Sequence, residues 1–337
     1  MKVLVTGGLG FIGSHTVAAL IEAQHQVVIV DNLINSKIQV LDKLQKLTGT
    51  RLEFYEMDVR DKSGLETIFL KDQLDGVIHL AGLKSVGESV LKPLDYYENN
   101  ILSTIVLTQM CLDYKVDKLV FSSSATVYGD QPAPFKEEMS LGATTNPYGE
   151  TKKICERILT DSVKVNKGFS VILLRYFNPI GAHESGLIGE EPNGIPNNLM
   201  PLIVQAMKRE TEPLQVYGND YDTPDGTCIR DYTHVVDLAK GHLKALEKIK
   251  EGCQIYNLGT GKGTSVLELI HAFERITGEK VPIEMGKKRL GDIGVSYADV
   301  SKAKQELGWQ AEKGLDAMVA DTYRFVQKTK GTVPFVF

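Results

Sequence analysis

The sequence is short of several things at once. It has four cysteines (Cys111, Cys155, Cys228, Cys253) in 337 residues, and none are spaced as CxxC. This excludes a disulfide scaffold and a thiolate metal site, and reads as reduced thiols in a cytoplasmic protein. The histidines lack ligand spacing too, so no metal is expected. No apolar run is long enough to cross a membrane. There is no leader-like segment, since Met1-Lys2-Val3-Leu4-Val5 goes directly into a strand pattern. Basic residues are not in surplus: Lys and Arg number 38 against 43 Asp and Glu, a net charge of -5, which offers no basic face to nucleic acid. Low-complexity tracts and internal repeats are missing. What remains is 42% hydrophobic and 24% charged, long enough for a large core and two domains.

The first half alternates strand and helix patterns. Lys2–Thr6 reads as a strand, the glycine run Gly7, Gly10, Gly13 follows, and a helix runs from about Phe11 to Ala23. Gly7 permits a tight turn, Gly10 lets backbone approach a pyrophosphate, and Gly13 allows helix and strand to pack closely. The helix start, Phe11-Ile12-Gly13, then aims its free N–H groups and positive dipole end at phosphate. Gln26–Asp31 is the second strand. Asp31 at its end suits the hydroxyls of an adenosine ribose and disfavours a 2′-phosphate, so the cofactor read here is NAD; a helix cap or turn is the alternative role. Asn32 to Ser36 form a polar loop, and a helix is expected over about 38–47. A third strand, Leu52–Tyr55, leads to Asp58-Val59, placed either to flank an adenine or to cap a loop. The fourth strand, Asp75–Leu80, leads to Ala81-Gly82-Leu83-Lys84. Small residues there let backbone lie against a cofactor, and Lys84 has the reach for a phosphate. A long helix is expected over about 93–114.

The fifth strand, Lys118–Phe121, delivers Ser122-Ser123-Ser124. Tyr148 and Lys152 follow, four residues apart and so on one face of a helix running to about Val165. At about 4 Å and an effective dielectric of about 20, a lysine ammonium favours a phenolate by roughly 4 kcal/mol, about three pK units. That would make Tyr148 a general base, with Ser124 at a strand's carboxyl end where open α/β sheets bind ligands. A surface Tyr/Lys pair is the bland alternative. Ser170–Leu174 is the sixth strand. Strands alternating with helices predict a doubly wound parallel sheet of Rossmann type.

The pattern then changes. Residues 178–227 are rich in Gly, Pro and Asn, with one helix near 201–208, and read as binding loops. Arg230-Asp231-Tyr232, a helix to about 249, a strand at Gln254–Leu258, and helices near 266–277, 301–306 and 315–327 follow. The expected division is an NAD-binding domain at 1–177, rejoined by 228–258, and a smaller discontinuous α/β substrate domain at 178–227 and 259–337.

Several long stretches together, Thr6 to Gly13, Asp31 to Ser36, Ala81 to Ser89, Phe121 to Asp130, Arg175 to Pro179, Ile195 to Pro201 and Arg230 to Tyr232, resemble the extended short-chain dehydrogenase/reductases and, within them, the nucleotide-sugar 4-epimerases. The resemblance implies a tightly held NAD and the interconversion of UDP-galactose and UDP-glucose through a 4-keto sugar. It implies that Tyr148 is the base, that Lys152 lowers its pKa and holds the nicotinamide ribose, and that Ser124 relays the proton. It adds Leu80, Asn99, Ser122, Tyr176 and Phe177 to the cofactor set, with Asn32, Asn35 and Ser36. It assigns Lys84, Ala125, Thr126, Asn178, Asn198, Leu199, Tyr217, Arg230, Arg289 and Asp292 to the UDP-sugar. Read without it, the two arginines are equally suited to surface salt bridges; an arginine pair suits a diphosphate and Tyr217 suits uracil. Gapless alignment between Asp292 and Ala298-Asp299 puts Ser296 at a gate where a small residue admits a 2-acetamido group, so UDP-GlcNAc and UDP-GalNAc become candidate substrates. A homodimer through the helices near 93–114 and 148–165 is also implied. The rival readings are a 4,6-dehydratase and a non-catalytic NAD-binding regulator. The first lacks its Asp-Glu pair, since Ala125 and Thr126 stand there. The intact Ser124, Tyr148 and Lys152 weigh against the second.

Overall fold

The computed structural model describes residues 1–194, 196–289 and 292–329. The first part runs β1 (Lys2–Thr6), α1 (Phe11–Glu22), β2 (Gln26–Asp31), α2 (Gln39–Thr48), β3 (Glu53–Glu56), α3 (Lys62–Lys71), β4 (Gly76–His79), α4 (Val86–Leu91), α5 (Pro93–Asp113), β5 (Lys118–Ser124), α6 (Pro147–Val165) and β6 (Ser170–Tyr176). Then come β7 (Asn178–Ile180), α7 (Leu199–Lys208), β8 (Leu214–Tyr217), β9 (Ile229–Arg230), β10 (Tyr232–His234), α8 (Val235–Lys248), β11 (Gly252–Leu258), β12 (Thr264–Ser265), α9 (Val266–Thr277), β13 (Ile283–Gly286), β14 (Val295–Ser296) and α10 (Leu315–Thr329). Among the described residues no helix is long and apolar enough to cross a membrane.

Seven strands form one parallel sheet in the order β11-β6-β5-β4-β1-β2-β3. Its strands are continuous apolar runs because both faces are covered. Val3, Val5, Val27, Ile29, Ile78, Val120 and Ile172 share a core with Val17 and Leu20 of α1 and Leu238, Ala245 and Leu246 of α8. The alternate residues Leu4, Val28, Val30, Val77, Leu119, Phe121, Val171 and Leu173 face Leu65, Ile68, Leu107, Met110, Cys155 and Leu159 of α3, α5 and α6. A third core gathers Ile180, Ile203, Leu214, Val216, Leu269, Phe273, Met318 and Phe325, away from the large sheet.

The strand order reverses between β1 and β4, which is where open α/β sheets leave a ligand crevice at their carboxyl ends. Two helices escape a reading of periodicity, α3 and the six-residue α4. Each is set by a cap: Asp61 accepts from Gly64 N and Ser85 from Glu88 N. β5 extends through the serine triplet instead of stopping at Phe121, since Ser122, Ser123 and Ser124 stay in register with Leu174, Arg175 and Tyr176. The helix expected near 301–306 is wound wider than an α-helix over Ala303–Leu307.

Candidate active site

The glycine turn is built for an anion. Gly7 has φ +69°, and a Cβ on it would lie 2.7 Å from Ala81 N, so β1 and β4 end in contact. A Cβ on Gly13 would lie 2.0 Å from Gly7 O, which fixes how closely α1 packs on the turn. At Gly10 a Cβ would meet only Gly7 O, at 3.3 Å. No side chain caps α1 and its first turn holds no acidic residue, leaving its first amides and dipole end open to a phosphate. These residues fit the pyrophosphate of NAD.

Asp31 is buried, its Oδ2 accepting from Leu9 N (3.0 Å) and its Oδ1 from Leu33 N (3.0 Å) and Ser36 Oγ (2.7 Å). The turn-forming role is therefore real. It also ties β2 to the glycine turn, and a carboxylate has further acceptor capacity. Asn32 and Asn35 are exposed beside it, and Asn32 Nδ2 donates to Asp58 Oδ2 (3.2 Å). Asp58 is gripped by Arg60, which holds its carboxyl down at about 2, while Val59 is buried. Asp58 thus fills the loop-capping role that was its alternative. Leu80, Ala81 and Gly82 are half-buried where β4 ends. Asn100 does more here than its neighbour Asn99: its side chain accepts from Leu83 N (2.8 Å) and donates to Leu83 O (3.0 Å) and Thr151 Oγ1 (3.0 Å), tying the 82–84 loop to α6.

Asn146 caps α6 by accepting from Gly149 N (2.9 Å), and Pro147 follows at the first helical position. That start puts Tyr148 in the first turn and Lys152 one turn on, facing the end of β5. Lys152 is 5% exposed; its Nζ donates to Ser122 O (2.7 Å) and sits 6.0 Å from the Tyr148 ring centroid and 4.9 Å from that of Phe121. The backbone carbonyl at the end of β5 holds the ammonium. Burial pushes Lys152 down to about 8, with Cys155 and Glu156 opposing. Burial also raises the Tyr148 phenol above its ordinary value, and the Ser124 hydroxyl pulls it back only in part. Desolvation sets the direction, so Tyr148 is a phenol at neutral pH rather than lowered as the spacing to Lys152 predicts.

Ser124 closes β5, its Oγ accepting from Thr126 N (3.3 Å) and Thr126 Oγ1 (3.0 Å), with Ala125 buried on the same turn. Ser122 Oγ hydrogen-bonds Tyr176 Oη, and Phe177 stacks on Phe135 at 6.1 Å. Beneath the triplet lies a buried ion pair not visible in sequence. Arg175 Nη2 meets Glu156 Oε2 at 2.7 Å and Arg175 Nε meets Oε1 at 2.8 Å, and Ser123 Oγ donates to Oε1 (2.5 Å). The signal available was a charged residue at the centre of an otherwise apolar strand, paired with a glutamate one turn after Lys152.

The remaining candidates come from the chain after β6, joined by Lys84 from the loop after β4. Arg289 stacks on Tyr217 (4.6 Å to the ring) and pairs with Asp292 (2.8 Å), so three candidates meet; Leu290 and Gly291 between them lie outside the described residues. Arg230 is half-buried, donating to Ile229 O at 2.9 Å. Asn178 is exposed at the start of β7. Asn198 and Leu199 open α7; Ile195, before them, lies outside the described residues. Asn198 Nδ2 and Lys84 Nζ both donate to Glu190 Oε1, the latter at 3.3 Å. Ser296 pairs with Arg230 in the parallel β14–β9 ladder. The buried Asp231 carboxylate fixes that register by accepting from Ala298 N (3.2 Å), Thr260 N (2.7 Å) and Gly261 N (3.0 Å).

The model of the NAD dependent epimerase/dehydratase family matches residues 3–259. A UDP-glucose 4-epimerase of Bacillus subtilis (strain 168) is 52% identical over 328 residues, 96% of each chain. A UDP-glucose 4-epimerase of Bifidobacterium longum, solved with NAD+ and UDP, superposes with a TM-score of 0.95 at 49% identity, covering 99% of this chain and 100% of that one. A third, from Stenotrophomonas maltophila with bound NAD and formylated UDP-arabinopyranose, gives 0.96 at 46% identity, covering 99% and 100%.

Proposed function

The chain belongs to the NAD dependent epimerase/dehydratase family, and on that premise we propose how its residues divide the work of a UDP-glucose 4-epimerase. It interconverts UDP-galactose and UDP-glucose through a 4-keto sugar, with NAD as cofactor. NAD, when bound, supplies the hydride acceptor and then the donor for carbon 4. Tyr148 accepts the proton of the 4-hydroxyl and later returns it. Ser124 hydrogen-bonds that oxygen, and Lys152 stabilises the phenolate. The observation that carries this reading is the meeting of Ser124, Tyr148 and Lys152 at the end of β5, beside a glycine turn open to phosphate. Ala125 and Thr126 give a dehydratase nothing to transfer a proton with, and Thr126 is engaged with Ser124.

Tyr217, Arg289, Asp292 and Arg230 serve the uridine diphosphate, and Asn178, Asn198, Leu199 and Lys84 the hexose. The third core supports the division into an NAD-binding domain, residues 1–177 with 228–258, and a UDP-sugar domain built from the rest, with Ala303, Leu307 and Trp309 of the latter packed into the core of the large sheet. A homodimer through α5 and α6 fits the exposure of Leu94 and Leu102 on α5. A cytoplasmic setting fits four unpaired cysteines, three of them buried. The acetamido gate is supported by register. Level neighbours in a parallel ladder point to one face, so Ser296 shares a face with Arg230, while Tyr297 takes the opposite face. A Cβ on Gly263 would lie 3.4 Å from the Tyr297 ring. We therefore read UDP-GlcNAc and UDP-GalNAc as substrates as well. Ser296→Tyr is expected to lower activity on the acetylated pair about ten- to two-hundredfold relative to the plain pair; an unchanged ratio refutes the gate. The test of the main reading is incubation with UDP-galactose and no added NAD. Formation of UDP-glucose is expected, and its absence overturns the assignment.

A further inference from the structure

The buried ion pair beneath the serine triplet stands among the three catalytic groups without being one of them. Tyr148, Lys152 and Glu156 follow one another on α6 at intervals of four, so they share a face that turns only about 40° at each step. Lys152 and Glu156 are both buried, and both reach the end of β5. Lys152 Nζ donates to Ser122 O (2.7 Å), and Glu156 Oε1 accepts from Ser123 Oγ (2.5 Å). Ser124, the third catalytic group, is the next residue. Arg175 closes the arrangement from β6, where it lies level with Ser123. Its Nε and Nη2 grip the two Glu156 oxygens at 2.8 and 2.7 Å. One carboxylate of α6 therefore holds β5 and β6 at the same level. The Arg175 Cζ also lies 4.8 Å from the ring centroid of Tyr128, the last residue of the turn that Ser124 caps. Tyr128 is itself fixed, its hydroxyl donating to Asn257 Oδ1 (2.7 Å).

A buried ion pair is a poor source of stability, because lost hydration offsets most of the attraction. What a bidentate guanidinium–carboxylate pair does supply is direction, since two parallel bonds fix distance and tilt together. The elements fixed here are α6, which carries Tyr148 and Lys152, and β5, which carries Ser124. The Glu156 charge also favours the ammonium form of Lys152, against the burial that disfavours it.

We propose that Glu156 and Arg175 are positioning residues for catalysis: clamped on Ser123, their pair sets where Tyr148 and Lys152 stand relative to Ser124. In this role neither residue touches the sugar or the cofactor; both act through α6 and β5. The inference rests on the catalytic reading of Ser124, Tyr148 and Lys152 made above.

The test uses NAD-loaded enzyme and reads kcat and KM for UDP-galactose, inhibition by UDP, and NAD content. Glu156→Leu combined with Arg175→Met replaces the pair by apolar side chains and leaves no unpaired charge behind, so the urea midpoint is expected to stay near that of wild type. In this double variant kcat is expected to fall about ten- to a hundredfold, the cost of displacing reacting groups by about 1 Å. KM and the inhibition constant of UDP are expected to stay within about threefold, with NAD content at the wild-type level. Arg175→Lys keeps the charge but loses the two-pronged grip, and Ser123→Ala removes one bond and leaves the pair. Each is expected to lower kcat by about threefold or more, and by less than the double replacement. A folded double variant whose kcat falls less than about tenfold overturns the proposal. So does a fall in kcat matched by weaker UDP binding or by lost NAD, which is what general damage to the fold produces. Should the double variant not fold, the two single variants decide: a lowered kcat in both, with unchanged UDP inhibition, supports the clamp, and any other result overturns it. A wild-type enzyme without epimerase activity overturns the catalytic reading itself, whereas an active wild type with an indifferent double variant overturns only the clamp.

Discussion

Lys152→Met removes the ammonium while keeping a side chain of similar length in its buried slot. Lys152 Nζ lies 6.0 Å from the Tyr148 ring centroid. At an effective dielectric of about 20, an ammonium about 6 Å from a phenolate oxygen attracts it by about 3 kcal/mol, roughly two pK units on the phenol. Burial already raises that phenol, so the charge is what keeps its ionisation within reach. The sign follows directly. The phenolate is the base, so the rate of sugar oxidation rises with pH up to the pKa of Tyr148 and then levels. Without the ammonium that rise moves about two units upward, and at a fixed pH below it the rate falls about a hundredfold. Burial holds Lys152 itself down at about 8. The assay is a single turnover of NAD-loaded enzyme with UDP-glucose, followed by the near-ultraviolet absorbance of reduced nicotinamide from pH 6 to pH 10. A loss that is the same at every pH, or a profile that does not move, refutes the electrostatic role and leaves Lys152 only its bonds to backbone and cofactor.

Tyr148→Phe keeps the ring and removes the proton acceptor, so turnover is expected to fall by several orders of magnitude with NAD content unchanged; near-normal turnover takes the role of base away from Tyr148. Glu191 pairs with Lys37 (2.9 Å) and Lys43 (3.1 Å), and Asn193 Nδ2 bonds Ser36 O (3.1 Å), so this segment straps the loop that follows Asp31. Glu191→Ala is expected to speed NAD release about three- to tenfold, measured as cofactor retained through gel filtration, and retention equal to wild type counts against the strap. His15 and His79 are buried, and burial lowers each to about 3. The folded chain holds them neutral, so their contribution is present above about pH 6.5 and is lost as pH falls, by about 2 kcal/mol each at pH 5. The urea midpoint is expected to drop between pH 7 and pH 5, and a flat midpoint contradicts their burial as neutral rings.

The sheet was legible because a parallel, doubly covered sheet writes each strand as an unbroken apolar run, as in Val27-Val28-Ile29-Val30. The glycine turn was legible because Gly7 and Gly13 answer local demands, a positive φ and a Cβ-free contact. Long-range partnerships left no such trace. Glu190 and Glu191 sit in a loop with no periodicity, and their partners lie 106 and 154 positions away in the case of Lys84 and Lys37. Asn99 and Asn100 cannot be ranked from sequence, because only the rotation of α5 turns Asn100 toward Leu83 and Thr151. The burial of the catalytic pair was hidden for a related reason. Helical spacing places Tyr148 and Lys152 on one face, but burial and the competing carbonyl of Ser122 belong to the end of β5, a different element. Spacing within one element gives which groups meet. The sign and size of their coupling come from what the neighbouring strand removes from water, and the buried Arg175–Glu156 pair under Ser123 is part of that same surrounding.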